Sequence, residues 1–370
     1  MSQDLPNFNN LSNIPPLQTA RWIIKQDPHV SFLIIILIFV LRSGVGFYYG
    51  ADGDVIAIAE AFPTPLADYK GLSIISPIIA HYVGIHTELE WCILHIILVC
   101  VIFYLAWRLV QRQFPEASTR QFIWIALCGS GAGVVAIGKI GHYDIWMFAA
   151  SMLLLFDRNW RGAVLSGLLF GFTNVEQGLV ALAALAICAY AIDREFIKII
   201  CLSVLSMLFA RAILELWYLH NNVDVHTRAS VVSGWLRLSL RGFLQAWPVQ
   251  IYSWFSASWV LVLYMISNGG HATRALIASG AIVLPALATL ITTDGTRVFA
   301  VTSFPSFLLL IRYMSADTSM EAVRVHLAIF TVSMMLISPG VMTWVGGSVE
   351  QPYAQLLDII LTLGGLAHLR

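Results

Sequence analysis

The chain has 370 residues, 58% of them hydrophobic and only 11% charged, with a formal net charge of zero. Soluble globular domains carry about 25% charged residues, so this composition excludes an ordinary soluble protein and points to lipid as the main solvent. A neutral chain also lacks the basic footprint that nucleic acid requires, and no nucleic-acid partner is expected.

The first 30 residues, polar and rich in Pro and Asn, lack a basic leader and a small-residue cleavage site. They read as a retained cytoplasmic tail ending in an interfacial helix, ahead of a single transmembrane domain over 31–370. Long apolar runs follow at Phe32–Tyr48, Cys92–Trp107, Phe122–Ile137, Ile197–Leu219, Ile251–Ile266, Ala275–Ile291, Val298–Ile311 and Val325–Val345. Three shorter runs, Ile145–Phe156, Ala163–Phe172 and Leu179–Ile192, fall below the roughly 20 residues a bilayer core needs and are expected as broken, tilted or re-entrant helices. The C-terminal "LLDIILTLGGLAHL" reads as a last span or an interfacial helix. The expectation is an all-α polytopic membrane protein of about eleven transmembrane helices. Cys92, Cys100, Cys128, Cys188 and Cys201 sit in or beside apolar segments without CxxC spacing, so no disulfide or zinc framework is expected.

Lys and Arg favour the cytoplasmic side. With the N-terminus inside, inner segments hold Arg108, Arg112 and Arg120, Arg158 and Arg161, and Arg312 and Arg324, while outer segments hold fewer cations. This assignment requires Ala163–Phe172 and Leu179–Ile192 to be two passes. Five polar clusters then share the outer face: "GADGD" (50–54), "GKIGHYD" (138–144), "TNVEQG" (173–178), "HNNVDVHTR" (220–228) and "TTDGTR" (292–297). Their convergence is what a site would look like; long outer loops that are simply polar would look the same.

The first outer loop, 49–90, holds two short apolar stretches punctuated by Pro63, Pro65 and Pro77, expected as helices lying in the membrane interface. Asp52 and Asp54 stand at its start, as catalytic carboxylates or, for Asp54, as a helix cap. Lys139, His142 and Asp144 precede a short helix; His142 suits a base, a metal ligand or a phosphate donor, and Asp144 equally suits a first-turn charge. Glu176 is an acid near membrane depth and a functional candidate on that ground. Arg228 falls in a polar outer loop. Arg297 has the planar fork that grips phosphate, or else it pairs with Asp294 across its turn. Arg211 and Glu215, four apart, read as a mutually neutralising pair. Carboxylates beside cations at headgroup level fit a reaction on a lipid phosphate, one carboxylate deprotonating an acceptor while a cation stabilises the leaving phosphate. No nucleotide-binding loop is present in the sequence.

The order of these parts resembles the polytopic GT-C glycosyltransferases, which use polyprenyl-phosphate sugars. The likeness covers roughly the first 195 residues: the acidic first loop, the "GHYD" start of a short helix, "DRNWRG", the Gly-rich "AVLSGLLFGF" and "TNVEQG". It implies a membrane glycosyltransferase acting at the outer face with inversion, with a first-loop acid as general base. Gly53 separates the two acids and leaves the base open between Asp52 and Asp54, and the Lys usual in the later polar turn is absent from "TNVEQG". The implied partners are a polyprenyl-phosphate-linked sugar, a glycan or lipid acceptor and membrane lipids, in a bacterial inner membrane. No cofactor is required, and a divalent metal is compatible. "GADGDVIAIAEAF" also resembles the first loops of Wzy and EpsG-like polysaccharide polymerases. A transporter or flippase is the reading from a different class.

Overall fold

Local chemistry sets most helix starts. The computed structural model describes residues 14–46, 53–66, 69–224, 229–292, 294–343 and 349–350. Helix α1 (Pro15–Ile24) buries Leu17, Ala20 and Ile23 while Trp22 stays exposed. Asp27 then accepts from the His29 amide at 2.9 Å and Pro28 takes the first helical position, which starts α2 (Pro28–Ser43). Two short helices, α3 (Gly53–Ala61) and α4 (Ile75–Val83), occupy the first loop as expected. A reciprocal capping box between Thr87 and Glu90 opens α5 (Glu88–Gln113).

Seven helical stretches among the described residues are long and apolar enough to cross a membrane: Glu88–Gln113, Val175–Ile192, Arg194–His220, Trp235–Asn268, His271–Leu290, Gly295–Ala316 and Thr318–Ile337. The protein is therefore a helical, multi-pass membrane protein. Strand structure among the described residues is one two-residue antiparallel pairing, Met342–Thr343 with Val349–Glu350. The C-terminal apolar segment falls outside the described residues.

Several spans depart from the sequence expectation. The run Phe122–Ile137 is not one helix: α6 (Ala117–Gly129) and α7 (Gly131–Gly138) meet at 65°. Ser130 caps the second piece, accepting from the Gly133 amide at 3.0 Å, and a Cβ on Gly131 would strike the Ser253 and Trp254 carbonyls. The small residues thus let two backbones touch where the helix breaks. Leu179–Ile192 is longer than its apolar core implied, because Asn174 caps α10 (Val175–Ile192) and adds a polar first turn to an 18-residue helix. The two preceding runs form α8 (Asp144–Asp157) and α9 (Trp160–Thr173), each 14 residues, or about 21 Å of axis, short of a bilayer core. Asn174 lies outside the helical region (φ −159°, ψ 90°), so α9 and α10 are two helices.

Helix α11 (Ile197–His220) follows, with Arg211 and Glu215 paired at 2.8 Å as expected. The stretch Ile251–Ile266 is interrupted. Helix α12 (Ala229–Phe255) leaves helical geometry at Ala246 just before Pro248, and a turn of 3-10 helix, with Ser256 at φ 52°, separates it from α13 (Trp259–Asn268). Helices α14 (His271–Ala278) and α15 (Leu284–Leu290) join through a π-helical turn. Helix α16 (Gly295–Ala316) is the axis of the bundle, with every residue from Gly295 to Ile311 buried and α8, α10, α12 and α15 packed around it. Helix α17 (Glu321–Ile337) lies against α1 and α6. On the periphery, α9 packs on α11 through glycines: a Cβ on Gly167 would meet the Ser203 carbonyl, and one on Gly171 the Met207 carbonyl. This is the small-residue packing that holds helices together in lipid. Helices α5 and α11 turn leucines and isoleucines outward, consistent with lipid-facing positions.

Candidate functional site

The start of α8 and the start of α16 meet in a buried polar network. Arg297, in the first turn of α16, donates from Nη1 to both Asp144 oxygens at 3.0 and 3.2 Å, and from Nε to Asp294. The Nδ1 atom of His142 lies 3.1 Å from Asp144 Oδ2 and 3.5 Å from Arg297 Nη1. The guanidinium also sits 5.7 Å from the centre of the Tyr143 ring. Asp144 is 2% exposed and Arg297 9%. Lys139, also buried, is close enough for its charge to act on both His142 and Asp294. Two cations and two carboxylates therefore balance in a dry setting, which is the condition for tolerating buried charge.

Burial pushes the His142 imidazole down to about 4, against the pull of Asp144, so the ring is neutral at pH 7. Burial likewise raises the Asp294 carboxyl above its ordinary value, with Arg297 opposing. The loop carrying these groups is braced by α5. Trp91 donates its indole N–H to the Gly141 carbonyl at 2.9 Å. His95 Nε2 donates to the His142 carbonyl at 3.0 Å while its Nδ1 accepts from the Gly141 amide at 3.0 Å. One neutral tautomer, Nε2–H, satisfies both contacts.

The first-loop helices dock on this same end of the bundle. Trp146, in the first turn of α8, donates to Ser76 Oγ of α4 at 2.9 Å. Ser73 Oγ donates to the Thr173 carbonyl at 2.5 Å, and the Ile74 amide to the Phe172 carbonyl at 3.0 Å. At the end of α11, Trp217 and Tyr218 donate to the Pro63 and Leu66 carbonyls, both at 3.0 Å. Ser239 of α12 donates to the Thr292 carbonyl beside the Asp294 turn. The polar loop at 138–144 and residues 294–297 are thus physically one site, and the turn at 173–174 and the end of α11 sit under the first loop.

Of the residues expected from sequence, Lys139, His142, Asp144, Asp294 and Arg297 come together. Arg297 does pair with Asp294, and it pairs with Asp144 as well, so its charge is already compensated within the protein. Glu176 is half-buried in the first turn of α10 and bonds to none of these groups. Asp54 falls in the first turn of α3; its side chain, Asp52 and Arg228 lie outside the described residues. Among the described residues, no three of His, Cys, Asp and Glu converge as metal ligands.

Sequence reading passed over one further part. Trp91 and His95 were hidden inside an apolar span, although a lone histidine at membrane depth was the available signal. Arg42, near the end of α2, donates from Nε to the Ser338 carbonyl at 2.7 Å and from Nη2 to the Tyr252 hydroxyl at 3.1 Å and to Ser256. No protein-family model, curated protein or solved structure matches the chain.

Proposed function

We propose that the chain is a membrane glycosyltransferase that moves a sugar from a lipid-phosphate donor to an acceptor at the outer face, with inversion. In this reading the N-terminus is cytoplasmic, the chain crosses a bacterial inner membrane about eleven times counting the short helices, and the first-loop acids face the periplasm. Asp52 or Asp54 takes the proton of the acceptor hydroxyl. Lys139 and Arg297 donate hydrogen bonds to the departing phosphate, Arg297 as a directed donor whose own charge Asp144 and Asp294 balance, while these carboxylates and neutral His142 hold it in place.

The observation that carries the reading is the docking of α4 on the first turn of α8, two residues from Asp144, through Trp146–Ser76, with Ser73 held on the end of α9 through Thr173. The first loop is thereby anchored next to a buried cluster of cations and carboxylates. Transfer is read in proteoliposomes holding the purified chain, polyprenyl-phosphate sugars and a lipid-extract acceptor pool. A covalent glycosylated product that appears with loss of the lipid-phosphate sugar supports the assignment. Movement of the labelled lipid across the bilayer without a new covalent product makes the protein a flippase, and lengthening of lipid-linked repeats makes it a polymerase.

A further inference from the structure

At the end of the bundle opposite the candidate site lies a second polar feature. Trp91 and His95 of α5 touch the candidate site, whereas Trp107 and Gln111 stand 16 residues further along the same helix, about 24 Å away. There, the start of α2, the end of α5 and the start of α6 enclose a cavity of about 200 Å3. That is room for several small polar groups, the scale of a lipid headgroup.

The cavity wall divides by chemistry. Its floor is aromatic: Phe32, Trp107 and Trp124 have ring centres 5.1 to 5.9 Å apart. Its rim carries Asp27, Gln111 and Arg120. Arg120 uses Nη1 on the Phe114 and Pro115 carbonyls, which fixes the guanidinium at the rim. Asp27 uses Oδ1 to cap α2. Trp124 is 2% exposed, and its buried indole N–H meets no acceptor among the described residues.

A separate and much smaller apolar pocket, of about 20 Å3, lies near this cavity. It is lined by Phe103, Leu127, Ala132, Gly133 and Phe148 among others. Phe103 lies one turn before Trp107 on α5, Leu127 one turn after Trp124 on α6, and the Phe103 and Trp124 rings are 6.2 Å apart. Elsewhere on the helices that line the cavity, α2 exposes Leu33, Leu37 and Leu41 and α5 exposes Ile97, Val101 and Leu105. The polar-rimmed pocket is therefore built on two helices, α2 and α5, that also carry exposed leucines and isoleucines.

We propose that this cleft is a binding site for a phospholipid whose headgroup carries a phosphate and a primary ammonium. The phosphate is held by Arg120 and Gln111, the ammonium by the Asp27 carboxylate and the aromatic floor, and the acyl chains lie against the exposed apolar residues of α2 and α5. An anionic headgroup without the ammonium gains the same Arg120 contact but meets the Asp27 charge unopposed. The site thus discriminates between headgroups as well as binding lipid.

The test is native mass spectrometry of the full chain in mild detergent, titrated with dioleoylphosphatidylethanolamine or dioleoylphosphatidylglycerol. The wild type is expected to bind the ethanolamine lipid at least fivefold more tightly. Asp27→Asn keeps the helix cap, since Asn caps as well as Asp, and should bring the two lipids to equal affinity. Arg120→Gln should weaken both at least fivefold at unchanged helical content. Soluble glycerophosphoethanolamine, which has no chains, should fail to displace the bound lipid at millimolar concentration. Equal binding of both lipids by the wild type, or a preference unchanged in Asp27→Asn, overturns the proposal. Displacement by the chainless headgroup overturns the assignment to a lipid.

Discussion

Replacing Asp144 by Asn isolates what the buried network contributes. In the wild type, Arg297 Nη1 meets both Asp144 oxygens at 3.0 and 3.2 Å with both residues almost fully buried. The substitution keeps shape and a hydrogen-bonding oxygen but removes the charge, leaving the guanidinium with Asp294 alone. Breaking a buried ion pair costs about 3 to 5 kcal/mol; because Asp294 still answers Arg297, the lower figure applies, about 3 kcal/mol. That is a change of roughly 100-fold in the unfolding equilibrium. Arg297→Gln should cost at least as much, since two carboxylates then lose their cation. The double variant should be more stable than the sum of the single effects implies by about 2 kcal/mol. Reversible unfolding in mixed micelles, followed by helical circular dichroism for all four proteins, supplies the cycle. Effects that add to within about 0.5 kcal/mol would refute a mutually dependent network.

Further outcomes follow from other parts of the molecule. His142 is neutral when folded but takes a proton below about 6.5 when unfolded, so its contribution is complete above that pH and is lost as pH falls toward about 4, at a cost approaching 3 kcal/mol. The wild type should therefore lose stability between pH 6.5 and 4 more steeply than His142→Gln, a difference read from unfolding midpoints; parallel curves would exclude a buried neutral imidazole. Gly167→Val should loosen the α9–α11 contact by about 1 to 3 kcal/mol, because its side chain runs into the Ser203 carbonyl, whereas Leu165→Ala, on an exposed face, should stay within about 0.5 kcal/mol. A single cysteine at Asn222, at the end of α11, should react with impermeant maleimide from outside intact cells; labelling only after the inner face is opened would reverse the proposed orientation.

The class of fold was legible because long apolar runs have one physical meaning in a chain this poor in charge. The spans around α5, α11 and α17 announce themselves that way. The breaks were not legible. Gly129, Ser130 and Gly131 read as ordinary small residues in an apolar run, and the reason the helix bends there is the close approach of the Ser253 and Trp254 backbone from another part of the chain. Pro248 was visible in the sequence, but the Ser256 turn beyond it was not. At the candidate site, the polar loops at 138–144 and 292–297 stood out against apolar neighbours. The local pair Asp294–Arg297 was foreseen from its spacing, while Asp144–Arg297 joins positions 153 residues apart and depends on how α8 and α16 pack. His95 was passed over because it sits in the middle of a span that otherwise reads as lipid-facing.

The most direct test of the functional account substitutes the first-loop acids one at a time. Asp52→Asn and Asp54→Asn are compared with the wild type in the proteoliposome transfer assay, with thermal unfolding measured alongside. A general base contributes about 100- to 10,000-fold to rate, so one of the two variants should lose transfer by that factor while unfolding as the wild type does. The other, if its carboxylate only caps α3, should keep most of its activity, because Asn serves that role. Full activity in both single variants would contradict the assignment of the base to this loop.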